Sequence, residues 1–300
     1  MNKSDYRIGI ISALSCNFIW GFLPLYWNAL KPIESSVIIF YRIVLMAIIC
    51  YAVTAFTMRG KEVFRPMIES RKAFLTYIAA GLVITINWSI YIWAVNAGYV
   101  IQTSMGYFLE PLVVCLFGVI FYKERTSIWK KIAIGFATVG LLIMIIGYRE
   151  VPIIAVSLGV SFAIYSAIKK SISLPPLQSL LFETIAVAPF ALAVIVYLEV
   201  KGIGGLQVGG YQYVLLMFAG LCTAVPLGLF SYAANKISLI SIGICEYISP
   251  SISLILGIFV LSEPFDMIQL AAFIVIWIGL IFFTYGERIE YCRMKENHKG

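Results

Sequence analysis

Apolar residues run along this chain in long blocks, separated by short clusters of charge, Gly, Pro and Ser. A helix needs about 20 apolar residues to cross a hydrocarbon core of roughly 30 Å, and the pattern predicts ten such spans. Their bounds are 8–30, 35–57, 73–97, 100–122, 128–148, 151–170, 177–200, 211–235, 239–262 and 266–286. The longest connection between them, 58–72, has 15 residues, which leaves no room for a soluble domain. The first block is too long for a signal-peptide core and is followed by "PLYWNALKP", with no small-x-small cleavage site, so it is read as a retained first helix. The predicted class is an all-α integral membrane protein.

Composition agrees: 61% of the residues are hydrophobic, 12% are charged and the mean hydropathy is +0.95. A net charge of +7 would suggest nucleic acid in a soluble protein, but in a multi-span chain basic residues report orientation. With the first residue on the cytoplasmic side, 18 Lys and Arg fall in cytoplasmic segments and three in outer ones. The positive-inside rule therefore expects both termini in the cytoplasm and an even number of spans in the cell membrane. Five of the six cysteines fall inside predicted spans with no C-x-x-C pair, and they read as small buried hydrophobes.

An internal repeat organises the spans. Shifted by 139 positions, Gly81-Leu82 falls on Gly220-Leu221, Ala94 on Ala233, Asn96 on Asn235, Pro111 on Pro250, Gly118 on Gly257, Glu124 on Glu263 and Gly140-Leu141 on Gly279-Leu280. Shifted by 142, Ala13 falls on Ala155, Ser15 on Ser157, Phe40 on Phe182 and Ile43 on Ile185. This divides the chain into halves of five spans, residues 1–148 and 149–287, followed by a cytoplasmic tail at 288–300. An odd number of spans inverts the second half relative to the first, the arrangement of secondary transporters that rock about a central site.

An ionisable side chain at the middle of a span costs about 2.5–3.5 kcal/mol, so each one requires a reason. Four occur: Arg42, Glu110, Glu183 and Glu246. A rise of about 1.5 Å per residue puts all of them in the central band of the membrane. Glu110 sits in "GYFLEPLVV" beside Pro111, whose missing donor frees a carbonyl one turn earlier. A cavity, Arg42 at similar depth, or a bound proton would each accommodate that carboxylate. On depth alone, Arg42 with Glu110 is the best pair. Ser249, Pro250, Ser253 and Gly257 continue one helical face from Glu246, and Asn17, Gly21, Pro24 and Asn28, or Ser157, Ser161 and Tyr165, make similar faces. For the serines and glycines close helix packing is the simpler reading. For the charges it is a cavity or a buried ion pair. Trp88 and Tyr91 flank Asn87 at depth and would wall a pocket, whereas Trp27 near a span end reads as an interfacial anchor.

Enzyme chemistry has little to work with. The sole histidine, His298, lies in the tail, the two aspartates, Asp5 and Asp266, sit at span ends, and no phosphate-binding loop of the form G-x-x-x-x-G-K-[ST] occurs. No cofactor, metal or nucleic-acid partner is expected. The expected partners are a small-molecule substrate and the lipid bilayer, with the chain acting as a monomer or homodimer. The expected function is export or exchange of a small amino-acid-like or amphipathic molecule. A channel-like facilitator, or a non-transport protein with a structural buried ion-pair network, is the alternative.

The segments "NFIWGFLPLYW" at 17–27, "YRIV" at 41–44, "NWSIYIWAVN" at 87–96, "SMGYFLEPL" at 104–112, "YKER" at 122–125, "ETIAVAPFA" at 183–191 and "EYISPSI" at 246–252 resemble the RarD branch of the EamA-type transporters in the drug/metabolite transporter superfamily. The resemblance covers essentially the whole chain. It implies ten helices in two inverted EamA-like repeats, a place in the cytoplasmic membrane, and transport by alternating access. By motif position Arg42, Asn87, Trp88 and Glu183 match residues of the branch, while Glu110 and Glu246 stand where it tends to carry an amide.

Overall fold

The computed structural model describes residues 3–57, 63–66, 70–122, 127–169, 174–234, 236 and 245–297, and no strand occurs among them. The helices are α1 (Lys3–Ala29), α2 (Ser35–Thr57), α3 (Arg71–Asn96), α4 (Val100–Tyr122), α5 (Ile128–Tyr148) and α6 (Ile153–Lys169). They continue with α7 (Pro176–Ile185), α8 (Ala188–Val200), α9 (Gly210–Ala234), α10 (Ile248–Phe259) and α11 (Met267–Asn297). By length and composition, seven helices of the described residues are apolar enough to cross a membrane. The other expected spans coincide with α4, α6 and α10, of which α6 and α10 have 17 and 12 residues. Residues 239–244, the start of the expected ninth span, lie outside the described residues.

Two boundaries differ from the sequence pattern. The expected seventh span is two helices, α7 and α8, divided at Ala186–Val187. Pro189 explains the division, because it offers no N–H to Ile185 and its ring crowds that carbonyl. The chain turns there through a tighter bond, Val187 N–H to the Thr184 carbonyl at 3.1 Å. At the other end, α11 does not stop at 286 but runs to Asn297, so most of the expected tail is helix.

Lipid tails are as apolar as Leu, so helices in a bilayer associate through close packing rather than through exclusion of water. Small residues provide that packing here. A Cβ at Gly81 of α3 would overlap the backbone carbonyl of Glu183 on α7, and one at Gly220 of α9 would stand 2.9 Å from the Met46 nitrogen on α2. Between α5 and α11, Gly140 faces the Ala272 carbonyl and Ile276, while Gly279 faces the Ala133 carbonyl and Phe136. The pairing of helices follows the same exchange. α1 packs on α9 and α10, as α6 packs on α3 and α4; α2 packs on α9 as α7 packs on α3; α2 meets α7 and α8, α4 meets α10, and α5 meets α11. Large apolar side chains such as Ile86, Ile146, Phe259 and Ile281 point outward, as a lipid-facing surface requires.

Helix ends are tied by side chains. The Glu263 carboxylate accepts from the Val100 and Ile101 N–H groups at 2.6 and 2.8 Å, closing the first turn of α4. Glu124, its repeat mate, lies outside the described residues. Asp266 accepts from Gln269 N–H at 2.9 Å and from the Tyr148 hydroxyl, and the latter bond holds its carboxyl below the usual range. Trp27 is not an interfacial anchor: it is buried at 2% exposure, edge-on to Tyr26 at 4.9 Å, because α2 and α9 close over the end of α1.

Gly81→Ala is expected to lower the melting temperature of the purified protein sharply, since the backbone of α7 cannot yield to a new methyl. Gly135, with open space around its Cβ position, gives the control. Gly135→Ala should be neutral or stabilising by up to about 1 kcal/mol from helix propensity. Equal effects of the two would refute the crossing geometry.

Candidate functional site

The only charge on α2 is Arg42, and it is 2% exposed. Its guanidinium carbon lies 4.1 Å from the centre of the Trp88 ring on α3, a cation–π stack. Nε has no hydrogen-bond partner, and Arg42 forms no ion pair or hydrogen bond with any described residue. Beside Trp88, Asn87 is fully buried and donates to the Leu158 carbonyl at 3.0 Å and to Ser161 Oγ at 2.9 Å, which fastens α3 to α6 and fixes where the indole stands. One turn further along α3, Tyr91 meets Tyr107 of α4 edge-on at 5.6 Å. Tyr107 lies within electrostatic reach of both Arg42 and Glu110.

The carboxylates divide into two kinds. Glu183, 1% exposed, accepts from Ser179 Oγ at 2.7 Å and from the Tyr165 hydroxyl at 2.9 Å. The Tyr165 bond reaches from α6 to α7 and the Ser179 bond lies within α7, so the carboxylate has partners inside the protein. Glu110 and Glu246 form no hydrogen bond or ion pair with any described residue, and each lies within electrostatic reach of the other. Both residues are part-exposed.

The expected Arg42–Glu110 ion pair is therefore absent. Span spacing gives depth along the membrane normal but not direction within its plane, and Arg42 stacks on Trp88 instead. Arg42 is brought onto Trp88 and Tyr91 onto Tyr107, while Asn87 is bonded to α6. Glu183 is bonded to Ser179 and Tyr165. The Ser253 and Gly257 face packs: Ser253 Oγ donates to the Gly21 carbonyl at 3.2 Å and Gly257 abuts Ile101. Sequence reading passed over two residues with a role here. Ser179 was legible as i−4 of Glu183, and Tyr107 as i−3 of Glu110. Among the described residues no group of three or more His, Cys, Asp or Glu is placed to hold a metal ion.

Comparison with known proteins adds to this geometry. The model of the EamA-like transporter family matches the chain twice, over residues 7–146 and 151–285. The uncharacterized transporter YojE of Bacillus subtilis (strain 168) is 33% identical over 300 residues, 99% of this chain and 100% of that protein. Protein RarD of Streptomyces exfoliatus is 34% identical over 287 residues, 94% of this chain and 90% of its own. Protein RarD of Escherichia coli (strain K12) is 28% identical over 285 residues, covering 95% and 96%. One solved structure shares the fold with a TM-score of 0.62 at 15% identity, covering 92% of this chain and 97% of that one.

The two kinds of carboxylate should respond oppositely to neutralisation. Glu183→Gln removes charge-assisted bonds and is expected to cost about 1–3 kcal/mol of stability. Glu110→Gln removes a buried charge without a partner and should leave the melting temperature unchanged or raise it. Thermal unfolding of both variants in detergent checks the contrast, and a larger loss for Glu110→Gln would overturn it.

Proposed function

The chain belongs to the EamA-like transporter family and is a multi-pass membrane protein, and from that premise we propose that it is a secondary carrier that exports or exchanges a small metabolite or drug-like molecule by alternating access. It acts in the cytoplasmic membrane, with ten spans in two inverted five-span halves and both termini inside. The helix pairings support this topology, because exchanging the halves maps α1 on α9 and α10 to α6 on α3 and α4, and maps α2–α7, α4–α10 and α5–α11 onto themselves. The double family match supports it as well, since its two segments meet close to the 148/149 boundary drawn from the repeat.

The observation that carries the carrier reading is the buried Arg42 without a protein counter-ion. A static, fully packed bundle would leave an uncompensated charge of this kind at a cost of several kcal/mol. A site that is filled part of the time by a solute of opposite charge has a reason to keep it. The alternative of a structural ion-pair network does not fit Arg42, which pairs with no described carboxylate. Arg42, Glu110 and Glu246 come from one chain, so a single copy holds the whole constellation.

Purified protein in liposomes loaded with mixed labelled solutes should give saturable, trans-stimulated flux of one class, and Arg42→Ala should lose that flux by at least about tenfold while remaining monodisperse in detergent. Unsaturable flux would identify a channel-like facilitator. Full flux in a well-folded Arg42→Ala would remove Arg42 from the site.

A further inference from the structure

Repeat-related residues make matching contacts in the α5–α11 seam: Gly140 meets the Ala272 carbonyl, Gly279 meets the Ala133 carbonyl, and a shift of 139 positions turns each contact into the other. Gly106 of α4 lies against Ala155 of α6, and their repeat mates, Cys245 and Ala13, share one buried cluster. One crossing breaks the match. Gly81 of α3 meets α7 at Glu183, and the shifts of 139 and 142 turn that contact into Gly220 on Tyr41. Gly220 of α9 instead meets α2 at Leu45 and Met46, four to five positions further along the helix. At about 1.5 Å per residue the offset is roughly 6–7 Å, about one helical turn.

The matching contacts and the mismatched ones belong to different parts of the molecule. The matching ones join helices of a frame made of α1, α3–α6 and α9–α11. Side-chain bonds tie that frame together: Asn87 of α3 to α6, the Ser104 hydroxyl of α4 to the Pro250 carbonyl of α10 at 2.6 Å, and Ser253 of α10 to α1. α2 and α7–α8 are tied to each other. The Tyr41 hydroxyl of α2 donates to Glu199 of α8 at 2.6 Å, Phe40 meets Phe190 edge-on at 6.0 Å, and past the end of α2 the Val63 carbonyl accepts from Gln178 of α7 at 2.9 Å. Both mismatched crossings, α3 on α7 and α9 on α2, lie between the frame and this second body. They are also displaced in the same direction: α2 and α7 both stand toward the end of the bundle where α8 finishes, relative to a midpoint at which the two crossings would share one register.

We propose that α2 and α7–α8 slide as one body along the frame by about one helical turn, from the present register to its repeat-exchanged mate. In the second state Gly220 faces Tyr41, and Gly81 faces Val187 and Ala188. Ridges on packed helices recur once per turn, so a slide of this length runs between two resting positions. The new seat for Gly81 is the α7–α8 break, where Ala186 and Ala188 admit a close backbone. Gly209 and Gly210, at φ +63° and +62°, link the moving α8 to α9 at positions that glycine occupies without strain. The slide takes Arg42 off Trp88 and breaks two bonds that cross between the bodies, Tyr165 to Glu183 and Asn96 to Ser35. As the working motion of a carrier it rests on the carrier reading, whereas the two registers rest on the contacts.

The experiment is double electron–electron resonance on the full-length protein in liposomes, with encoded spin-label residues at exposed helix ends so that the native cysteines stay in place. Val200, at the end of α8, and Ile128, at the start of α5, lie at opposite ends of the bundle and read the slide along its axis. Ile153 with Ile128 is the control within the frame, and Val200 with Phe56 the control within the sliding body. The Val200–Ile128 pair is expected to show two distances, the second shorter by about one turn, roughly 5–7 Å, while each control pair shows one. Tyr165→Phe or Ser35→Ala, each removing a bond of the present register, should raise the shorter population at least about threefold. A single Val200–Ile128 distance in the wild type and in both variants overturns the slide, as does an equal split in either control pair. Counterflow of mixed labelled solutes in the same liposomes separates the two readings. Saturable flux with a single distance overturns the slide and leaves the carrier; two distances without saturable flux uphold the slide and overturn the carrier.

Discussion

Backbone-on-backbone contact between helices sets the geometry of everything else in this protein. Where Gly81 meets Glu183 and Gly220 meets Leu45 and Met46, two chains approach closer than any side chain would allow. In a bilayer such contacts supply the attraction that water exclusion supplies elsewhere. They also determine where the charges lie. One crossing falls on Glu183 itself and the other one turn beyond Arg42, so both residues are held at the waist of the bundle by contacts made in the main chain. A cation whose position is fixed in this way does not need a carboxylate to hold it in place, and Trp88 suffices to orient it.

Much of this was legible beforehand. Long apolar blocks gave the helices, and the glycines that the repeat pairs, 81 with 220 and 140 with 279, stand at helix crossings. Spacing also gave the depth of the four intramembrane charges. It could not give azimuth, which is why Arg42 and Glu110 looked like partners and are not. Ser179, at helical spacing from Glu183, was the readable sign that this carboxylate is bonded within its own helix. The break in the seventh span was written in Pro189, whose consequence depends on neighbours that do or do not restore the lost bond. Trp27 misled because proximity to a span end says little about which helices close over it.

The contrast between Glu183 and the Glu110–Glu246 pair illustrates how to weigh buried charge. A carboxylate that accepts two hydroxyls at 2.7 and 2.9 Å has its lone pairs engaged whatever else happens nearby. One with no partner is defined by what enters the space beside it. A solute of opposite charge would change the energy of the second kind more, because no protein group already offsets its charge.

The length of α11 has a mechanical side. Its 31 residues rise about 46 Å, against a hydrocarbon core of roughly 30 Å. With Met267–Gly286 spanning the apolar layer, the remaining turns stand beyond it as a continuation of the same rod. Arg288, two residues past Gly286, is therefore carried on a rod instead of on a loose tether. A basic group near an anionic membrane surface gains of order 1 kcal/mol, which resists sinking or tilting of such a rod. Its seam with α5 joins that rod to one side of the bundle, so a force on the projecting turns is passed to both helices together.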